Sequence, residues 1–434
     1  MTNPHPVSIS RISWRAASIA LAFAVVLGVL PTQSAQAQTF TVLHAFQGAP
    51  DGAWPVAGLL LDPKGNLYGT TTTGGDGSCN HFPPPPGCGV VFKIDTAGKE
   101  SVLYRFGHGH GQNPLAGLVR DAKGNLYGTT NVGGHFSRGT AFKVTPTGQQ
   151  TVLHAFDKGV GGSYPRARVV RDSLGNLYGT TETGGNSTGS GVVFKLNKFG
   201  REKVLYTFSC YVCNGQSGGG FGFPFSGGVI RDSAGNFYGT ASGGTMNDQC
   251  KTGCGVVYKV DKAGVGVALY SFTGGNNDGL APSGNLIMDA AGNLYGTTQA
   301  GGGNGCGNSF GCGTVFKVDP SGHETLLYRF ADKLDGAYPT GGLVRDPQGN
   351  LYGTTQMGGD PTCDGGFGCG VVFKIDPSGT ETTLYAFTGG TDGEFPNPDL
   401  IRDAPGNLYG TTLDGGDQTC ARKTGCGVVF KIAP

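Results

Sequence analysis

Twelve cysteines are the residues best equipped for chemistry in this 434-residue chain, and they come in close pairs: Cys79 and Cys88, Cys210 and Cys213, Cys250 and Cys254, Cys306 and Cys312, Cys363 and Cys369, Cys420 and Cys426. Thiols this near one another form a disulfide, hold a soft metal or exchange electrons. Five pairs occupy corresponding loops, and in two further copies of that loop (131–139 and 182–191) both cysteines are missing together. A pair gained and lost as a unit behaves as a disulfide. Cys210 and Cys213 stand apart in a long Gly-rich loop; a redox pair or half of a zinc site is conceivable there. With no second ligand pair or neighbouring His, a structural bridge is the expectation.

Other candidates are sparser. Five arginines, Arg120, Arg171, Arg231, Arg345 and Arg402, each precede an Asp at the end of a short apolar segment, with Leu61 and Met288 in the two remaining copies. Pointing inward, they would form a cationic constriction able to hold an anion; otherwise they pair with the adjacent acid, the expected arrangement. Acid and aromatic recur together at Asp51 with Trp54, Asp335 with Tyr338 and Asp392 with Phe395, and Tyr164 and Phe223 likewise precede prolines. Such a rim suits sugars or peptides, while the plainer reading is a turn-shaping Asp-Gly with the aromatic packed beneath the loop. For an enzyme, Glu182, Asp414 and the pair His108 and His110 are the acids and metal ligands to examine. There is no Ser, His and Asp arrangement, no matched pair of glutamates and no phosphate loop, so neither a catalytic residue nor a resident metal or cofactor is assigned.

The elements that position these residues follow from a repeat. Gly-Asn-Leu/Phe-Tyr-Gly-Thr occurs seven times, with its Asn at 66, 125, 176, 236, 293, 350 and 407. A period of about 57 residues with four strand-like segments per copy describes a propeller blade. In one copy the segments are 342–346, 351–355, 370–376 and 382–387, and tight Pro/Gly turns join the first to the second and the third to the fourth. The phase at the termini is decisive: a lone fourth strand at 39–46 opens the repeats and a third strand at 427–432 ends them. The expected fold is therefore all-β, a seven-bladed β-propeller of four-stranded antiparallel blades, closed by pairing of the N-terminal strand with the C-terminal blade. A capped solenoid is the alternative. Tight turns then share one face of the disc, and the cysteine loops and interblade loops share the other. Features present in every blade serve folding. The Asp opening each first turn is read as an acceptor for turn amides, the second-strand Tyr as packing between blades, and the third-strand Lys as covering a neighbour.

The Asn-Leu-Tyr-Gly-Thr-Thr and Gly-Val-Val-Phe-Lys segments resemble those of the GloVer tandem-repeat proteins, and the resemblance covers essentially the whole chain after residue 37. It implies an exported bacterial protein. The Asp-x-x-Gly-Asn-Leu-Tyr core is also similar to the blade motif of NHL-type, lactonase and streptogramin-lyase propellers, which implies an enzymatic alternative.

Arg11 and Arg15, the uncharged apolar stretch 16–30 and Ala35 to Ala37 read as a signal peptide over 1–37, leaving 38–434 as one propeller domain. Without the two leader arginines the count is 29 basic against 30 acidic residues. A near-neutral chain is a poor nucleic-acid binder. After cleavage no membrane contact is expected, and the protein is read as a monomer, extracellular or periplasmic. The resulting expectation is a secreted, non-catalytic binding or scaffold propeller presenting its disulfide-stapled loop face to a glycan or protein. The alternatives are a metal-dependent lyase or lactonase and a structural matrix protein.

Overall fold

The computed structural model divides the chain into Met1–Ala37 and Gln38–Pro434. It describes Met1 and residues 38–434, except 76–78, 80–84, 158, 186–188, 210–226, 242, 245–249, 251–252, 304–305, 307–309, 332–333, 398 and 422–423. Cys210, Cys213 and Phe223 therefore lie outside the described residues.

Seven antiparallel sheets follow one another along 38–434. The blade expected at 342–387 has strands Val344–Arg345, Leu351–Thr355, Val371–Ile375 and Glu381–Ala386. Six inner strands are only two residues long, because they crowd around the axis; in blade 5 Gly279–Met288 is longer, with a register break between Ser283 and Ile287. Blade 7 is assembled from both ends of the domain. Thr39–Ala45 pairs antiparallel with Val428–Ala433, Thr39 opposite Ala433 and Ala45 opposite Val428, so the ring closes as the strand count requires. Among the described residues no helix is long and apolar enough to cross a membrane.

Why these residues build blades is visible in the third strand. In Val90–Ile94 every residue except Lys93 is buried, as expected of a strand covered on both faces. Its Phe ring needs room from the strand beside it: a Cβ on Gly69 would lie 2.4 Å from Phe92 Cζ, and one on Gly353 2.5 Å from Phe373 Cζ. That clearance fixes the glycine of Tyr-Gly-Thr in each blade.

The same ring carries the contact between blades. The Phe that follows each fourth strand packs edge-on against the third-strand aromatic of the next blade, from Phe106 on Phe142 to Phe387 on Phe430, with centroids 5.0–5.3 Å apart. Phe46, carried by the N-terminal strand, makes the contact from blade 7 to blade 1, on Phe92 at 5.1 Å. Seven equivalent aromatic contacts hold the ring.

Each first turn is organised by its Asp. Asp62 Oδ1 accepts from the Lys64 and Asn66 amides at 2.9 Å, and Oδ2 accepts from Asn66 Nδ2 and Tyr68 Oη at 3.0 and 3.1 Å. Burial alone would raise this carboxyl, but the hydrogen bonds outweigh it and hold Asp62 below its ordinary range, as they do for Asp121, Asp172, Asp232, Asp289, Asp346 and Asp403. The second-strand Tyr thus has its hydroxyl satisfied within its own blade. The third-strand Lys lies over the same ring, at 5.6 Å for Lys195 on Tyr178.

Candidate functional site

The five arginines complete this hub. Arg171 lies 5.2 Å over Tyr127, Arg231 5.5 Å over Tyr178, Arg345 5.6 Å over Tyr295 and Arg402 5.9 Å over Tyr352, each on the tyrosine of the preceding blade. Arg120 has the same disposition: a Cβ on Gly124 would lie 3.1 Å from an Arg120 terminal nitrogen, as one on Gly175 would lie 3.2 Å from Arg171 and one on Gly235 3.1 Å from Arg231. No ion pair between one of these arginines and its adjacent Asp is present among the described residues. At the two remaining copies Leu61 and Met288 are half-buried and pack against the core clusters that Tyr409 and Tyr238 also flank. Arg120 and Arg171 also edge the central channel, and Arg345 and Arg402 edge a hollow at its turn-side mouth.

The opposite face holds the loops. Disulfides join Cys79 to Cys88, Cys250 to Cys254, Cys306 to Cys312, Cys363 to Cys369 and Cys420 to Cys426. Five disulfides mark a protein of a non-cytoplasmic compartment. They anchor the joints between blades: the carbonyl of the second Cys accepts the N–H of the residue before the next blade's proline, as in Trp54 to Cys426 at 3.0 Å, Tyr338 to Cys312 at 2.8 Å and Phe395 to Cys369 at 3.0 Å. In a joint without cysteines Tyr164 donates to Arg138 at 2.9 Å. All four aromatics sit at positive φ, from 52° to 59°, a conformation stabilised by this bond.

The acids of these loops point back into the fold. Asp392 accepts from Tyr385 Oη and the Thr388 amide, both at 2.9 Å; Asp335 accepts from Tyr328 Oη at 2.7 Å; Asp51 bonds His44 Nε2 at 3.0 Å. These bonds tie the acids into their own loops. Trp54, Tyr164, Tyr338 and Phe395 are half-buried. Trp54 Nε1 donates to Asp414 Oδ1 at 3.1 Å, Arg138 covers and hydrogen-bonds Tyr164, and Tyr338 lines a 550 Å³ hollow with Met357 and Phe367. Tyr338, Phe395 and Trp54 open blades 6, 7 and 1, which are consecutive around the closed ring, and form an aromatic arc.

The residues picked out for catalysis are not gathered. Glu182 pairs with Arg166 at 2.8 Å, Asp414 serves Trp54, His108 bonds Gln112 Nε2 at 2.6 Å, and His110 bonds the fourth-strand Tyr104 at 2.9 Å. The one cluster of three potential metal ligands among the described residues is Cys363, Cys369 and Glu394, and two of these are spent in a disulfide.

The channel itself holds residues that the sequence reading passed over. Its first strands enclose a mainly apolar chamber of 680 Å³, and a second chamber of 410 Å³ opens on the loop face. Arg168, Asn285 and Asp399 line both and so form the waist between them. Asn285 Nδ2 donates to Asp399 Oδ2 at 2.7 Å, the Gly342 amide donates to Asp399 Oδ1 at 3.1 Å, and the Gly228 amide donates to Asn285 Oδ1 at 2.9 Å. All three stand four residues before a turn Asp, where the other blades carry Gly58, Gly117, Gly228 and Gly342. Three polar exceptions in a ring of glycine were the signal available in the sequence.

Several glutamates are displaced in the other direction. Burial, then Asp278, pushes Glu324 up to about 7; burial, then Asp414 and Asp364, pushes Glu394 up to about 7; burial, and more weakly Asp335, pushes Glu381 up to about 6. A carboxyl raised by folding contributes stability that is full below its unfolded value and is lost as pH rises through the folded value. Each side chain is half-buried, so solvent screening limits its effect to about 1 kcal/mol. The melting temperature should fall by a few degrees between pH 5 and pH 8, and Glu324→Gln with Glu394→Gln should remove most of that fall in calorimetry. Below pH 4 the turn aspartates add an acid limit, because their depressed values make protonation destabilising.

Fold and closure define a disulfide-bonded seven-bladed β-propeller. The Gloeobacter/Verrucomicrobia repeat model matches residues 28–220 and 211–430, and the chain belongs to that family. No curated protein matches it. Among solved structures, the extracellular domain of the hybrid two-component system BT3049 from B. thetaiotaomicron is 12% identical, with a TM-score of 0.50 over 91% of this chain and 41% of that one. The gluconolactonase XC5397 from Xanthomonas campestris is 13% identical, with a TM-score of 0.41 over 91% of this chain and 89% of that one. A luciferin-regenerating enzyme is 15% identical, with a TM-score of 0.42 over 73% and 90%. At these identities the likeness is one of fold.

Proposed function

We propose that the chain is a secreted recognition module, released from a signal peptide at residues 1–37, that presents its loop face to an extracellular glycan or protein without catalysing a reaction. The observation that carries this reading is the aromatic arc: three consecutive blades each hold an aromatic in a disulfide-anchored joint on the variable face. Rigid, half-exposed aromatics offer contact area at little entropic cost. The extracellular domain of a two-component system shares the fold and the proposed setting. The candidate acids and histidines, each engaged in a separate local contact, give catalysis no common centre.

A glycan array probed with the folded 38–434 protein, with calcium and with chelator, tests the proposal. Specific signal is expected in both conditions, and Trp54→Ala with Tyr338→Ala should reduce it at least about fivefold, the cost of losing two stacking contacts of about 0.5–1.5 kcal/mol each. Signal only with calcium would move the reading toward a metal-dependent site. Silence in both conditions would leave protein partners, tested next by the same variants in crosslinking to intact cells.

A further inference from the structure

We propose that the loop-face mouth of the channel binds a small polar molecule bearing a carboxylate, seated on the Arg168 guanidinium. This site is separate from the aromatic arc. Asp399 and Asn285 are committed: both Asp399 oxygens accept bonds within the protein, and Asn285 donates to one of them while accepting the Gly228 amide. At the rim, Arg166 and Glu182 neutralise each other at 2.8 Å. What the 410 Å³ chamber still offers is the Arg168 guanidinium and the Gln299 and Gln356 side-chain amides, none of which bonds another described residue. The uncommitted set therefore consists of one guanidinium and two side-chain amides, with Asp399, its oxygens already accepting neutral N–H groups, as the one acid in the lining.

Such a set matches a carboxylate carried on a hydroxylated body. A planar guanidinium takes a carboxylate through two parallel N–H bonds, and amides satisfy hydroxyls as donor and acceptor. The chamber's volume falls in the range of about 300–1,000 Å³ typical of small-molecule sites. Its asymmetry is equally important. Arg168 departs from a register position that is glycine in four blades, and no blade-to-blade contact of the repeat requires it. The Asn285 to Asp399 bond beside it narrows the waist and gives the chamber a floor.

Isothermal titration of the folded 38–434 protein with D-glucuronate and D-galacturonate, against D-glucose and D-galactose as neutral counterparts, tests the site. At least one uronate should bind at least about tenfold more tightly than its neutral sugar, as a charge-assisted bidentate pair implies, and added salt should weaken it. Arg168→Gly installs the residue native to the position in four blades and should abolish that preference with little change in melting temperature. Arg168→Lys should retain part of it, and Arg168→Gln serves as the neutral variant if the glycine form melts early. Trp54→Ala should leave uronate binding intact, which separates this site from the arc. Absence of uronate binding, equal binding of the neutral sugars, or undiminished binding by the neutral Arg168 variants would each overturn the proposal.

Discussion

Removing residues 39–46 is expected to abolish the folded monomer. The segment supplies the outer strand of blade 7 and two aromatic anchors. Phe40 stacks on Tyr385 at 3.9 Å and meets Phe430 at 5.6 Å, while Phe46 is fully buried against Phe92. Truncating the buried Phe46 costs about 3–5 kcal/mol, and the contacts of the half-buried Phe40 add to it, a large share of the about 5–15 kcal/mol expected of a domain. The loss is also topological. Without Thr39–Ala45 the strand Val428–Ala433 is left as an open edge, and the contact from blade 7 to blade 1 disappears. An uncovered edge recruits strands from other chains. The truncated protein should therefore show no cooperative melt and elute as oligomers in size-exclusion chromatography with light scattering, whereas Phe46→Ala should keep the monomer and melt early. A truncated monomer with an unaltered melt would contradict closure by the N-terminal strand.

That strand was legible because repeats make phase visible: a fourth strand at the start and a third at the end add up to one blade. The turn aspartates and disulfides were legible for a related reason, since a feature present in every blade, or gained and lost as a unit, reports a local structural need. Contacts between blades were harder to read. The sequence shows Arg beside Asp and suggests an ion pair, yet the antiparallel register carries Arg171 across the blade boundary to Tyr127. Adjacency along a strand says little about partners across a packed face, because successive side chains point to opposite sides. Leu61 and Met288, which looked like interruptions of a charged ring, are half-buried against the core, so the position accepts an apolar side chain as well as a cation. The waist escaped notice for the opposite reason. Arg168, Asn285 and Asp399 lie in different blades, more than a hundred residues apart from first to second and again from second to third, and only ring closure brings them to one axis.

Replacing one turn aspartate should separate the structural role of the repeated acids from a ring of metal ligands. Asp346 is 5% exposed, with Oδ1 accepting the Asn350 amide at 2.8 Å and Oδ2 accepting Asn350 Nδ2 at 2.7 Å and Tyr352 Oη at 3.0 Å. Arg402 of the next blade sits over Tyr352, so the carboxylate supports both a turn and a blade junction. Asp346→Ala leaves the Asn350 side chain and the Tyr352 hydroxyl without their acceptor, and with about 1–3 kcal/mol for each stranded group the total loss should be about 3–5 kcal/mol. Asp346→Asn keeps one acceptor oxygen but turns an amide toward the Asn350 donors, and should recover less than half of the loss. Because the hub recurs, Asp121→Ala and Asp232→Ala should cost similar amounts in denaturant titrations, and their losses should add when the blades are not neighbours. Chelator should leave the unaltered protein's denaturation midpoint in place. If chelation lowered it as far as Asp346→Ala does, the seven aspartates would be cation ligands, and the Asn and Tyr bonds would be the second layer of that arrangement. If chelation had no effect and the three alanine variants agreed, the acids would be bound to folding alone, and selectivity for a ligand would have to reside in the positions where the blades differ.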